Sequence, residues 1–440
     1  MQVPKNKTDF LKLCEEAGVS LPYAADTAVL GEKIRVQGLT VPNRIAYQAM
    51  EGCDSTASGS PDELTKRRYL RFAAGGPGVI WYEATAVMQE GRANPRQSFM
   101  TPDNVGDFAA MVNDIKSTCM RENGYEPVVI CQLTHSGRYS KPTGTPAPLI
   151  AYNDPVFEKD KPIPADRIVT DEYLDRVGEA LVNSTALAKQ AGFDGVDIKS
   201  CHRYLLCELL SAFTRPGKYG GDYENRTRLL KTAVRGAMAM ATDRFVISTR
   251  INLYDGFEYP WGFGVKEGEG ITPDWSEAKR LMRELAAMGM PMFDFTMGNP
   301  YFNPHVNRPY ASGGYEPPEH PMQGVARMLE GIREVAAVVP DTPVICSGLS
   351  FLGTEAGRVA AGCIREGWFA MAGFGRATLA NPDIAKNILQ NGQTDLDKLC
   401  LACGKCTEIM RQPGGTPGCA MRDHEVYTPI YQKLVLKKNN

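Results

Sequence analysis

Residues 197–206 read Asp-Ile-Lys-Ser-Cys-His-Arg-Tyr-Leu-Leu. Lys199, Cys201, His202 and Tyr204 crowd into this stretch, and each can donate a proton or a hydrogen bond. They follow Gly192-Phe-Asp-Gly-Val196, a turn leading into a buried strand, so they emerge together at a strand end. A second concentration lies far along the chain, where Cys400, Cys403, Cys406 and Cys419 form a C-x2-C-x2-C-x12-C pattern. Four thiolates can hold a tetrahedral zinc or an iron–sulfur cluster, and unmetallated thiols are the third alternative. Zinc sites use two separated pairs, whereas three evenly spaced cysteines and a distant fourth fit the corners of a cubane better. Gly404, Gly414, Gly415 and Gly418 add the backbone freedom to wrap one.

Eight short apolar, β-branched or aromatic runs are available to position these groups. They are Arg44–Met50, Val79–Thr85, Val128–Leu133, Gly195–Ile198, Phe245–Arg250, Phe293–Thr296, Pro343–Ser347 and Phe369–Phe374. Helical spacing fills the intervals at Tyr173–Ala191, Thr227–Ala241, Trp275–Met288, Met322–Val338 and Glu355–Glu366. Eight strand–helix units over roughly 350 residues predict an α/β fold, a (β/α)8 TIM barrel with enlarged loops. A doubly wound sheet competes, but no strand is followed by a Gly-x-Gly-x-x-Gly turn. The expected organisation is an N-terminal extension over 1–30, a barrel over 31–392 and a C-terminal cysteine-rich segment over 393–440. Two long loops, 137–171 and 298–321, follow predicted strands, where barrel loops line active sites.

The net charge of −2 offers no bulk attraction to nucleic acid or an anionic membrane. No run approaches the ~18 apolar residues of a membrane span, and the N-terminus has no apolar signal core. These features lead us to expect a cytoplasmic protein with no nucleic-acid or membrane partner. The crowding of four of the 12 cysteines in such a chain points to metal rather than disulfides.

Several motifs resemble one family. They are Asn43-Arg-Ile45 with Met50, Gln132-Leu-Thr-His-Ser-Gly-Arg138, Tyr219-Gly-Gly-Asp-Tyr-Glu-Asn-Arg226 and Gly373-Phe-Gly-Arg-Ala-Thr-Leu-Ala-Asn-Pro-Asp383. Together they are similar to the old yellow enzyme superfamily, in the branch holding 2,4-dienoyl-CoA reductase and trimethylamine dehydrogenase. The resemblance covers about residues 30–425. It implies FMN, and for the four cysteines it implies a [4Fe–4S] cluster. Long members of that branch carry further nucleotide-binding domains, which this chain, ending about twenty residues after Cys419, is expected to lack.

The resemblance also implies roles. Ser347, Gly348, Gly375 and Arg376 would hold the FMN phosphate, and Gln132 the pyrimidine edge. Arg250 would set a cation beside the reduced ring, and Met50, Glu51 and Ala84 would neighbour it. A carboxylate at Glu51 departs from the Thr or Cys of relatives, and its function is open. Lys199, His202 and Tyr204 match the positions where ene-reductases bind a substrate carbonyl and protonate Cα. Donors aimed at that oxygen suit the charge that develops there, with Lys199 as ammonium and His202 as imidazole or imidazolium. Tyr204 would be the general acid. Lys199 paired only with Asp197 or Glu51 is the structural alternative.

His135 would order its loop, Cys201 would be a buried spacer, and His305 and Tyr301 could line the pocket. The implied activity is reduction of an activated C=C bond in a small molecule. NAD(P)H or an electron-transfer protein would be the redox partner, and a homo-oligomer is compatible with it. The alternatives are dehydrogenation of an amine or saturated ketone with electrons leaving through the cluster, and a non-catalytic zinc-bearing barrel.

Overall fold

The computed structural model describes residues 2–436. Strands β3 (Ile45–Tyr47), β4 (Val79–Ala86), β5 (Val128–Thr134) and β6 (Gly195–Ile198) pair in parallel and in order. They continue through β7 (Val246–Asn252), β8 (Met292–Thr296), β9 (Val344–Ile345) and β10 (Ala372–Phe374). β10 pairs with β3, and a parallel bridge from Ile345 to Met371 joins β9 to β10, closing the ring. All eight predicted strands are therefore present. Every residue of β4, β5 and β7 is buried, because helices cover the outside and side chains fill the inside. That double burial is why these strands read as unbroken apolar runs.

Each intervening helix lays an apolar face on the barrel. Asp171–Gln190 starts where the Thr170 hydroxyl accepts from the Tyr173 amide at 3.2 Å, with Asp171 and Glu172 in its first turn. Tyr223–Met238 starts four residues before the predicted Thr227, because Asp222 caps it by accepting from the Asn225 amide at 2.8 Å. The Tyr219–Arg226 motif is thus a structural joint. A Cβ on Gly220 would stand 2.1 Å from the Arg215 carbonyl oxygen, and Arg226 grips Glu277 at 2.6 Å.

Two features were not foreseen. β1 (Ile34–Val36) and β2 (Leu39–Val41) form an antiparallel hairpin. Its Val36 and Val41 pack on Val79, Val128, Val246 and Met292 and cap the N-terminal end of the barrel. At the other end, the chain from about residue 400 returns over the strand C-termini and is tied down there. The Thr416 hydroxyl donates to Asp54 at 2.6 Å, Arg308 donates to the Thr407 hydroxyl at 2.7 Å, and Asp423 meets Arg71 at 2.5 Å and Arg67 at 2.8 Å. Among the described residues, no helix is long and apolar enough to cross a membrane.

Candidate active site

The strand C-termini carry a polar layer inside the barrel. Asp197 accepts from the Trp81 indole at 3.0 Å, the Gln132 amide at 2.6 Å and the Arg250 backbone N–H at 2.6 Å. The Gln48 amide donates to Asp294 at 2.7 Å and to the Ser347 hydroxyl at 2.8 Å. Arg250 places Nε 3.2 Å from Asp294 and donates through Nη1 to the Ala49 carbonyl at 2.9 Å. The Nε contact is close enough for an ion pair but misaligned for a hydrogen bond, so Arg250 Nε is buried without a hydrogen-bond partner. Burial pushes Asp294 up to about 7 against the pull of Arg250.

A cavity opens above this layer, with about 1020 Å³ of space that includes its mouth. Lys199 follows β6 directly, and Ser200 bridges to Ile251 of β7, which continues the strand course. The chain then turns through two consecutive left-handed residues, His202 (φ 64°) and Arg203 (φ 62°). Such backbone costs about 1–3 kcal/mol per residue unless the surroundings hold it. They do so here. The His202 N–H donates to Asn252 Oδ1 at 3.2 Å. Arg203, wholly buried, pairs with Asp154 and with Asp255 at 3.1 Å, and donates to the Tyr152 hydroxyl at 2.8 Å. The turn sends Arg203 into the protein and leaves His202 and Tyr204 on the cavity.

Three side chains meet around Glu51. The Tyr204 hydroxyl donates to Glu51 Oε2 and stands 2.7 Å from the Tyr301 hydroxyl. Lys199 Nζ lies 3.9 Å from the same Oε2 and 3.6 Å from the Tyr204 ring centroid. Gln97 Nε2 donates to Glu51 Oε1 at 2.8 Å and to the Ala84 carbonyl at 2.9 Å. Burial raises Glu51, while Lys199 and Tyr204 pull it down. Burial lowers Lys199 against the attraction of Glu51. Tyr204 is pushed well up by burial and by Glu51. His202 is held well below the usual imidazole range by burial, then by Arg250, Lys199 and Arg308, so its ring is neutral. Its Nε2 is buried and has no partner.

Another part of the lining is cationic. Arg308, Arg376 and Arg411 form it, and burial and the neighbouring Arg376 bring Arg308 down to about 10. The cysteine segment supplies the remaining wall through Cys406, Thr407, Met410, Arg411 and Pro417. Cys400 is raised by burial, eased by Arg376 and raised again by Cys406 and Cys403, and Cys419 is pushed to about 12 by burial and by Cys400 and Cys406. Among the described residues, no three His, Cys, Asp or Glu side chains converge as ligands of a single ion.

Met50, Glu51, Gln132, Lys199, His202, Tyr204, Arg250, Ser347, Gly348, Gly375 and Arg376 all line the cavity. Ala84 does not. A bulge at Glu83–Ala84 shifts the β4–β5 register, and the Ala84 carbonyl is taken by Gln97. Lys199 pairs with Glu51, while Asp197 is committed to the polar layer. Tyr301 is on the wall, whereas His305 turns to Tyr315. His135 sits between the Gly137 N–H and Tyr173, with its loop. Cys201 is buried, and its thiol is pushed up to about 12 by that burial. Sequence reasoning missed Gln48, Asp294, Gln97 and Arg203. Inward polar residues at period two along β6 and β8 were the available signal for the layer.

The NADH:flavin oxidoreductase / NADH oxidase family matches residues 30–264. An NADPH dehydrogenase of Halalkalibacterium halodurans is 32% identical over 204 residues, which is 45% of this chain and 56% of that protein. A cinnamate reductase of Clostridium sporogenes is 26% identical over 402 residues, 89% of this chain and 57% of the relative. The matches thus span little more than half the length of these relatives. A 2-naphthoyl-CoA reductase complex shares the fold with TM-score 0.72 at 18% identity, covering 92% of this chain and 58% of that one.

Proposed function

The chain belongs to the NADH:flavin oxidoreductase / NADH oxidase family, part of the old yellow enzyme superfamily, and from that premise we propose that it binds FMN and reduces an activated C=C bond of an enone or enoate. The observation that carries this reading is the convergence of Lys199, His202 and Tyr204 on a cavity floored by Gln132, Arg250 and Ser347.

The residues suit FMN. Gln132 commits one amide hydrogen to Asp197 and keeps its carbonyl and second N–H for a pyrimidine edge. Arg250, held in place by Asp294 and the Ala49 carbonyl and lining the cavity, would offer a fixed cation to the flavin. Ser347, Gly348, Gly375 and Arg376 would take the phosphate, and a Cβ on Gly375 would meet only open space there. FMN would supply the hydride, restored by NADH, NADPH or an electron-transfer protein.

The chain's own residues handle oxygen and proton. His202 Nε2 and the Lys199 ammonium would donate to the substrate carbonyl, where charge develops, an effect worth about 10²–10³ in rate per donor. Tyr204 would protonate Cα. Lys199, Arg250, Arg308, Arg376 and Arg411 face a single lining carboxylate, Glu51, so the cavity favours anionic or carbonyl ligands over amines.

Cys400, Cys403, Cys406 and Cys419 would hold a [4Fe–4S] cluster that passes electrons singly to or from an outside partner. Zinc with Zn–S of about 2.3 Å needs sulfurs about 3.8 Å apart. A cubane binds each cysteine to a separate iron and so spaces them more widely.

The test is flavin and iron analysis of anaerobically purified protein, then turnover with enones and enoates, cinnamate among them, under NADH, NADPH and a one-electron donor. Flavin bleached by amines but not reoxidised by any alkene would replace this reading with the oxidative one. A colourless zinc protein would remove both. In the active enzyme, Lys199→Met should lower kcat about 100-fold; unchanged kinetics with every substrate would remove Lys199 from carbonyl binding.

A further inference from the structure

We propose that Glu51 is a positioning residue that supplies the proton Tyr204 delivers, so that the acid of this site is a Glu51–Tyr204 pair rather than a lone phenol. The inference rests on the C=C-reducing reading above and deepens it.

Three contacts carry it. Tyr204 reaches Glu51 Oε2 directly, although the two residues are 153 positions apart. Gln97 fixes the carboxyl's orientation. Its Nε2 is held between Glu51 Oε1 and the Ala84 carbonyl, so Oε1 already accepts there, and a proton on Oε2 finds its partner in the Tyr204 hydroxyl. Lys199 stands 3.9 Å from that same oxygen, an ion-pair contact that weakens as Oε2 takes up a proton. The charged and titratable groups around Glu51 are thus Lys199, Tyr204, Tyr301 and, through its buried thiol, Cys53.

A tyrosinate at position 204 would be a buried anion touching a carboxylate, and two like charges in such a site do not coexist. The phenol can release its proton only as it receives one. The balanced step is as follows. When bound, FMN would supply the hydride that forms the Cβ–H bond while the π pair moves to Cα. The Tyr204 O–H bond breaks as the Cα–H bond forms, and the Glu51 Oε2–H bond breaks as the Tyr204 O–H bond is remade. The alkene would gain two electrons from the bound cofactor, and Glu51 would be left as carboxylate beside Lys199. Its side chain is 10% exposed on the cavity, and water entering there after product leaves would return the proton.

The test is Glu51→Gln, which keeps the shape and removes the ionisable proton. Infrared difference spectra across pH should show a buried carboxylic-acid band in the wild type that is missing from the variant, in flavin-free protein as well as loaded. In pre-steady-state reduction of an enone, E51Q should slow flavin reoxidation about 100-fold with KM changed little. It should also flatten the high-pH fall in rate and alter the solvent deuterium isotope effect. Glu51→Asp, shorter but still acidic, should recover part of the rate and restore the pH limb; it also serves if E51Q does not fold. An E51Q enzyme with the wild-type pH profile and isotope effect overturns the pair. A wild-type protein that holds flavin but reoxidises it with no alkene overturns the underlying reading instead, a result told apart by the absence of turnover before any substitution.

Discussion

At the N-terminal end of the barrel the interior is Val79, Val128, Val246 and Met292, sealed by Val36 and Val41 of the hairpin. Further along the same strands it becomes polar. β5 runs inward through Val128, Ile130 and Gln132, β7 through Val246, Ser248 and Arg250, and β8 through Met292 and Asp294. Direction stays constant at period two while chemistry changes along the strand. The apolar end needs only volume and dryness. The polar end needs each group paired, because an unpaired buried charge costs more than a hydrophobic contact returns. Asp197 alone collects three donors from three strands, so fixing the site and fixing strand positions are one task there.

Substitutions that treat the two ends alike should expose the difference. The largest effect is expected for Arg250→Met at pH 8. With its cation gone, Asp294 must take up a proton or stand ionised and unpaired, and unfolding in urea should show a loss of about 3–5 kcal/mol together with the loss of bound flavin. A loss under 1 kcal/mol would mean that the polar layer holds no net charge pair. Met292→Ala, at the apolar end, should cost about 3 kcal/mol through its cavity and leave flavin affinity unchanged. A matching fall in affinity would show that the ends are coupled.

The smallest effect is a slope. Asp294 goes from 3.8 to about 7 on folding, so the folded chain holds its proton more tightly than the unfolded chain. Its stabilising contribution is complete below about pH 4 and gone by about pH 7. Asp294→Asn should therefore flatten part of the fall in stability between pH 4 and 7. Part of that slope remains in the variant, because Glu83, paired with Arg68, is also pushed to about 7 by burial. Parallel stability–pH curves for wild type and variant would show that Asp294 does not titrate in this window.

The strands and most of the helices were legible because burial on two faces, or on one stripe, leaves a local pattern. Lys199, His202 and Tyr204 were legible because they are neighbours in the chain. What hid was non-local or sub-residue in scale. The Glu51–Tyr204 contact joins the ends of two different strands, and no local signal announces it. The bulge that keeps Ala84 off the cavity lining was hidden because Trp81-Tyr-Glu-Ala-Thr85 reads as plain strand, and one extra residue in the register is invisible in composition. Nothing in the residues beside Arg203 marks it as a buried anchor. Its anchors, Asp154 and Asp255, come from loops 49 and 52 positions away.

Cys406, Thr407, Met410, Arg411 and Pro417 close one side of a cavity whose other residues all lie between Gln48 and Leu379. Because early segments of a chain fold first during synthesis, translation completes the barrel and its polar floor well before this wall exists. A released chain ending at residue 400 would carry an open trough with nearly every lining group already in place. The enclosed chamber comes only once the residues from Cys406 to Pro417 are added.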